Sequence, residues 1–185
     1  MPNGIDVERF AVERKKRDGF HVGLVGRVVP IKDIKTFITA AKIVCAELPE
    51  ARFYCIGPTD EDPGYYEDCR RLVESMKLAD QFEFTGRKNV LEYYSFLDVL
   101  VLTSVKEAQP LVILEAYRAG IPVVSTRVGN VAEMMDYDDR FIAASKDASG
   151  IAEGILYIRR NPDEIKSLVQ SNTEKVLTHY DKKTL

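Results

Sequence analysis

The sequence predicts an α/β domain, a doubly wound parallel sheet of about six strands with helices on both faces and further helices after the last strand. Three observations predict it. From residue 21 onward, short apolar runs of strand length alternate with segments of helical periodicity. The connections between them are short and rich in Gly, Pro, Asn and Asp. The run Val99-Leu100-Val101-Leu102 is apolar at every position, as a strand buried on both faces is. The architecture is Rossmann-like.

Six strands are expected at residues 21–26, 52–56, 81–85, 99–103, 122–126 and, more weakly, 141–144. Helices are expected between them at residues 33–47, 64–76, 90–96, 110–119 and 131–135. Pro110 suits the first helical position, where a missing N–H costs nothing. The free donors that follow it are then those of Leu111, Val112 and Ile113. Gly120 with Pro122 beyond it is a helix stop. Two more helices, at residues 148–159 and 162–180, break at Asn161-Pro162. Met1-Pro2-Asn3-Gly4-Ile5-Asp6 has turn chemistry with no strand before it.

Composition narrows the function. A chain of 185 residues holds one domain of ordinary size. Its 26 basic and 29 acidic residues leave a net charge of −3, with no long basic block to suit nucleic acid or an anionic membrane. The short run Arg14-Lys15-Lys16-Arg17 reads as a solvated face. No stretch approaches ~20 consecutive apolar residues and no signal-peptide core opens the chain, so a cytoplasmic domain is expected. Cys45, Cys55 and Cys69 lack metal-type spacing and read as buried thiols.

In an open parallel sheet, ligands bind beyond the carboxyl ends of the strands, at the switch point of strand order. The loops after each strand therefore carry the candidate chemistry. After the first come Gly26-Arg27 and, five residues beyond Arg27, Lys32. A guanidinium holds phosphate oxygens bidentately and an ammonium adds a mobile point charge, so the pair resembles a diphosphate clamp. Two surface cations in local ion pairs fit the same residues. Gly23 and Gly26 do not make the G-x-G-x-x-G fingerprint of a dehydrogenase.

The other loops add less. After the second strand, Asp60 and Asp62 invite comparison with a metal-binding D-x-D, but they precede a helix that carboxylates can cap. Asp136, Asp138 and Asp139 read as a solvated acidic loop without partners. Arg87-Lys88-Asn89-Val90 follows the third strand, and its main chain could read a nucleobase edge. After the fourth strand, Glu107 and Glu115 bracket a strand-to-helix turn whose free amides and dipole make an anion site. His21 and His179 stand apart from any nucleophile pattern.

In this order, Pro2-Asn3-Gly4-Ile5-Asp6, Gly26-Arg27 with Lys32, the two glutamates and Gly120-Ile121-Pro122-Val123-Val124 resemble the C-terminal domain of retaining glycosyltransferases of the GT-B fold, family four. The likeness spans residues 1–145. Residues 27–33 and 109–115 resemble, more narrowly, the glycosyltransferases of Pel exopolysaccharide synthesis.

The resemblance implies that residues 1–185 form a single donor-nucleotide-binding domain. This is the C-terminal half of a two-domain enzyme whose N-terminal acceptor domain is absent from the sequence and would be its partner. It implies hexosyl transfer from a UDP-sugar, UDP-glucose being the candidate, with the isolated half inactive. Arg27 and Lys32 match the pair that holds the diphosphate and stabilises the leaving nucleotide, with Gly26 beside them. Glu107 matches the residue beside the transferred sugar, and Glu115 the one on the ribose hydroxyls. Ala108, Gln109 and Pro110 lie in the same donor-facing segment, and the amides of Leu111 and Val112 match those facing phosphate. Arg87, Lys88, Asn89 and Val90 match the base-recognising loop. No metal or other cofactor is implied, because cations and the helix dipole take the charge developing on the diphosphate.

Two positions depart from the family pattern. Ala108 and Asn130 stand where glycine is usual. If the backbone at Ala108 needs φ > 0, alanine costs roughly 1 kcal/mol. Asparagine tolerates that region. Rival readings are a GT-B nucleotide-sugar epimerase or phosphorylase and a non-catalytic flavodoxin-like module. The last would need an acceptor aspartate at a strand end, where Thr85-Gly86 and Thr103-Ser104 stand.

Overall fold

The computed structural model describes residues 3–185, so Pro2 of the first motif lies outside the described residues. The strands are β1 (Phe20–Val25), β2 (Ala51–Ile56), β3 (Phe82–Gly86), β4 (Val99–Leu102), β5 (Val123–Thr126) and β6 (Ile142–Ala143). They form one six-stranded sheet of order β3-β2-β1-β4-β5-β6, and every pair is parallel. β4 and β5 are buried at every residue, which is why their sequences are continuous apolar or small runs rather than alternating ones.

The helices are α1 (Ile34–Glu47), α2 (Pro63–Ser75), α3 (Val90–Tyr94), α4 (Leu111–Arg118), α5 (Val131–Met134), α6 (Ala148–Arg160) and α7 (Pro162–His179). The chain steps from β1 towards β3 on one side and from β4 towards β6 on the other. Right-handed crossovers therefore put α1 and α4 on opposite faces. α1 packs against α6, and α4 against α7.

The expected elements are present, with ends displaced by a residue or two. One correction bears on the site. Pro110 is not the first helical residue but the residue before it, extended at φ −75° and ψ 98°. A short 3-10 turn, Pro30–Lys32, was not expected and leads into α1. Residues 3–5 are more than a turn. The Ile5 N–H donates to the Tyr180 carbonyl at 2.9 Å, and the Lys182 N–H to the Ile5 carbonyl at 2.9 Å, joining the two ends of the described chain.

The run Arg14-Lys15-Lys16-Arg17 is exposed at every residue, as a solvated face is, while Arg17 stacks on the Phe96 ring at 3.7 Å and the Arg14 guanidinium donates to the carbonyls of Tyr94 and Leu97. One charge reading is corrected, because the acidic loop is paired. Asp136 meets Lys175 at 2.8 Å, Asp138 meets Arg140 at 2.6 Å and Asp139 meets Arg127 at 2.8 Å. Arg140 holds the Asp138 carboxyl below its ordinary range. Cys45, Cys55 and Cys69 are free and buried. His21 is spent on structure, with Nδ1 3.0 Å from the Tyr54 hydroxyl and Nε2 2.8 Å from the Asp18 carbonyl.

Candidate functional site

Strand order reverses between β1 and β4, and the loops leaving these two strands line the crevice at the switch point. The loop after β1 runs through Gly26, Arg27 and the 3-10 turn to Asp33, which caps α1 in the left-handed conformation (φ 46°). Asp33 accepts the Thr36 hydroxyl at 2.6 Å, and asparagine and aspartate tolerate this backbone region. At the end of β4, the fully buried Thr103 shares its hydroxyl between the carbonyls of Lys32 (3.1 Å) and Asp33 (2.9 Å). One loop is thus pinned to the strand that carries the other.

Lys32 and Glu107 come together as the sequence alone did not specify. The ammonium makes an ion pair with Glu107 Oε1, and each side chain is only 18% exposed. The Ser104 hydroxyl donates to the same Oε1 at 3.0 Å. The Lys32 stem crosses over Gly26, where a side chain would sit 3.6 Å from its Cδ.

Beside this pair, Gly26, Arg27, Arg87, Lys88 and Val90 line a single cavity of about 350 Å³, floored by the ends of β1 and β2. Gly57 makes that convergence possible. At φ 153° its backbone packs so close to the β1 loop that a Cβ would lie 2.1 Å from the Gly26 carbonyl oxygen. Both arginines are largely exposed and have loose acidic neighbours, Arg27 with Glu61 at 3.3 Å and Arg87 with Asp60 at 3.5 Å. The local-ion-pair reading therefore describes these contacts. Asp62 is the N-cap of α2, accepting from the Tyr65 N–H at 3.0 Å, so Asp60 and Asp62 have separate jobs. Among the described residues, no group of three or more His, Cys, Asp or Glu is arranged to hold a metal ion.

The start of α4 completes the edge. Ile113, named among the free donors, is not free: its N–H bonds the Pro110 carbonyl at 3.1 Å. Leu111 and Val112 remain as the helix's first two donors without an intrahelical acceptor. Glu115, the next turn in, accepts from the hydroxyl of the fully buried Tyr94 at 3.0 Å. Burial pushes the Glu115 carboxyl above its ordinary pKa, against the opposing pull of the Tyr94 hydrogen bond and the Arg9 charge. Burial, with Glu115 nearby, pushes the Tyr94 phenol far up as well, so it stays a donor.

Two of the predicted residues serve the fold first. Asn89 caps α3, accepting from the Leu91 N–H at 3.1 Å. The Gln109 side chain is tied to the main chain of Asn3, accepting its N–H at 2.9 Å and donating to its carbonyl at 3.3 Å. Ala108 is exposed and is absent from the positive-φ positions, so the expected backbone cost does not arise. The left-handed residue is Gly129 (φ 50°), where a Cβ would meet the carbonyl oxygens of Ala108 and Glu107 at 2.1 and 2.3 Å. Asn130 sits at φ −96° and needs no tolerance of that region. Sequence reasoning missed Thr103, Ser104 and Tyr94. The partners of Thr103 and Tyr94 are distant in the chain, and Ser104, although only three residues from Glu107, stands in no pattern that marks it.

Residues 19–161, from the start of β1 to the end of α6, match the family described as Glycosyl transferases group 1. Among curated proteins, the UDP-Gal:alpha-D-GlcNAc-diphosphoundecaprenol alpha-1,3-galactosyltransferase of Escherichia coli is 28% identical over 188 residues, covering 93% of this chain and 47% of that protein. The solved C-terminal domain of LpcC, a glycosyl transferase group 1 family protein from Francisella tularensis, superposes with a TM-score of 0.86 at 23% identity, covering 96% of this chain and 98% of that one. HepE of Anabaena, solved in complex with UDP, superposes at 0.87 with 18% identity, covering 98% of this chain and 53% of that one. The chain spans about half the length of the curated relatives it matches, 46%, 47% and 44% of the first three. The sheet order, the switch-point crevice and the extent of the match agree: the chain belongs to the Glycosyl transferases group 1 family.

Proposed function

We propose that this chain is the donor-nucleotide-binding half of a retaining hexosyltransferase of GT-B architecture, acting in the cytoplasm with an N-terminal acceptor domain. The donor is a UDP-sugar, UDP-glucose by preference, and the acceptor a polysaccharide or glycan. Support for UDP comes from the family neighbours solved with that nucleotide, and for a polysaccharide acceptor from the narrower likeness to Pel glycosyltransferases.

One observation carries the reading. Residues far apart in the chain, Gly26, Arg27, Arg87, Lys88 and Val90, line one cavity over the ends of β1 and β2, and the stem of Lys32, paired with Glu107, lies against Gly26 at its rim. In this reading the base lies in that cavity and the diphosphate meets Arg27, Lys32 and the Leu111 and Val112 amides. Glu115 takes the ribose hydroxyls and Glu107 the transferred sugar. The cations and the α4 dipole stabilise the departing nucleotide without a metal.

Calorimetry of the chain with UDP and UDP-glucose in the presence of a chelator tests this. Binding is expected with metal removed, and Lys32→Ala weakens it by about tenfold, the scale of one charge-assisted contact. Binding that needs a divalent ion, or that survives loss of Lys32 unchanged, refutes the diphosphate clamp.

A further inference from the structure

The cation assigned to the diphosphate is already neutralised. Lys32 pairs with Glu107, and both side chains are mostly shielded from water. Glu107 has a second tether of a different kind, the Ser104 hydroxyl on the same oxygen at 3.0 Å. Ser104 is fully buried, and its own carbonyl accepts the Thr126 hydroxyl at 2.7 Å, so this tether is part of the wall. The ammonium rides on a flexible four-carbon stem and can leave.

An anion arriving at Lys32 competes with Glu107 for it. If Glu107 stays on Ser104, it becomes a negative charge lining the site that the anion enters. A nucleoside diphosphate alone gains the ammonium but strips the carboxylate of its counter-charge. A nucleotide sugar brings hydroxyl donors that can take the place of Lys32 on Glu107.

Resting on the donor reading above, we propose that the Lys32–Glu107 pair is an exchange device that favours the loaded nucleotide sugar over the spent nucleoside diphosphate. Ser104 is the positioning residue that keeps Glu107 in place while Lys32 moves. The device disfavours retention of the product, because loss of the sugar removes the hydroxyls that replaced Lys32.

The test is calorimetry of the whole chain with UDP and with UDP-glucose, read as the ratio of the two affinities. Glu107→Gln keeps an oxygen for Ser104 and removes the charge. It is expected to tighten UDP about tenfold and UDP-glucose less, so that the preference for the sugar nucleotide falls. Ser104→Ala lowers the same ratio about threefold, the scale of one lost hydrogen bond, and Ser104→Thr restores it. A merely structural role for Ser104 would move both affinities together and leave the ratio unchanged. Binding of both ligands with an unchanged ratio in Glu107→Gln overturns the exchange alone. Failure of the wild-type chain to bind either ligand overturns the donor reading and the exchange with it.

Discussion

Replacing Tyr94 by Phe removes a single oxygen from the interior, and its consequences depend on pH in a way that follows from the structure. Tyr94 is fully buried and its hydroxyl donates to Glu115 Oε2 at 3.0 Å. A hydrogen bond to a charged group contributes about 1.5–3 kcal/mol, and phenylalanine leaves the carboxylate without it. At about 2 kcal/mol, and with roughly 2–4 °C per kcal/mol for a domain of this size, Tm at neutral pH falls by about 4–8 °C.

Burial already places the folded-state pKa of Glu115 above its unfolded value, so the folded protein holds the extra proton between the two. Stability therefore falls as pH rises through that interval and is greatest below it. The Tyr94 bond opposes the shift, and its loss extends the interval upward. The deficit of Tyr94→Phe relative to wild type should be full at neutral pH and should shrink below the ordinary glutamate pKa, where Glu115 is protonated in both states. Thermal unfolding followed by circular dichroism at pH 7.5 and at pH 4 measures it. Equal losses at the two pH values, or no loss at pH 7.5, would refute the assignment of Tyr94 as the partner of an ionised Glu115.

Other perturbations test neighbouring parts of the edge. Gly129→Ala places a Cβ against the Ala108 and Glu107 carbonyls, so urea unfolding should show a loss of about 1–3 kcal/mol and calorimetry weaker binding of UDP-glucose. Thr103→Val removes the hydroxyl shared by the Lys32 and Asp33 carbonyls and should cost about 1–3 kcal/mol in the same assay. Asp62→Ala removes the α2 cap for about 1 kcal/mol and should leave UDP affinity unchanged with or without magnesium; an affinity that becomes magnesium-dependent or falls would give this carboxylate a role in the site.

Much of the fold was legible because it is written in local periodicity. The apolar runs that became β1, β4 and β5 are buried along nearly their whole length, and a strand buried on both faces cannot hide its composition. The helix beginning beside Pro110 was legible to within one residue, since proline excludes itself from the helix interior. The sequence leaves a positive φ open at Ala108, whereas the position that adopts one is Gly129, one strand further along and pressed against the Ala108 carbonyl. No single-sequence rule reports a contact between two loops.

The sequence by itself determined the alternation of strands and helices, the residues standing at the strand ends and the charges they carry. These follow from side-chain chemistry and the periods of helix and strand. Only the tertiary structure decided which charges meet. Lys32 and Glu107 are 75 residues apart in the chain, and they pair because β1 and β4 are neighbours at the point where strand order reverses. The same adjacency sets Thr103 against the loop that carries Lys32 and Asp33, and the fold brings Tyr94 to Glu115, 21 residues further along the chain. Hydrogen bonds and ion pairs act over a few ångströms of space, and that distance exists only once the sheet has ordered its strands.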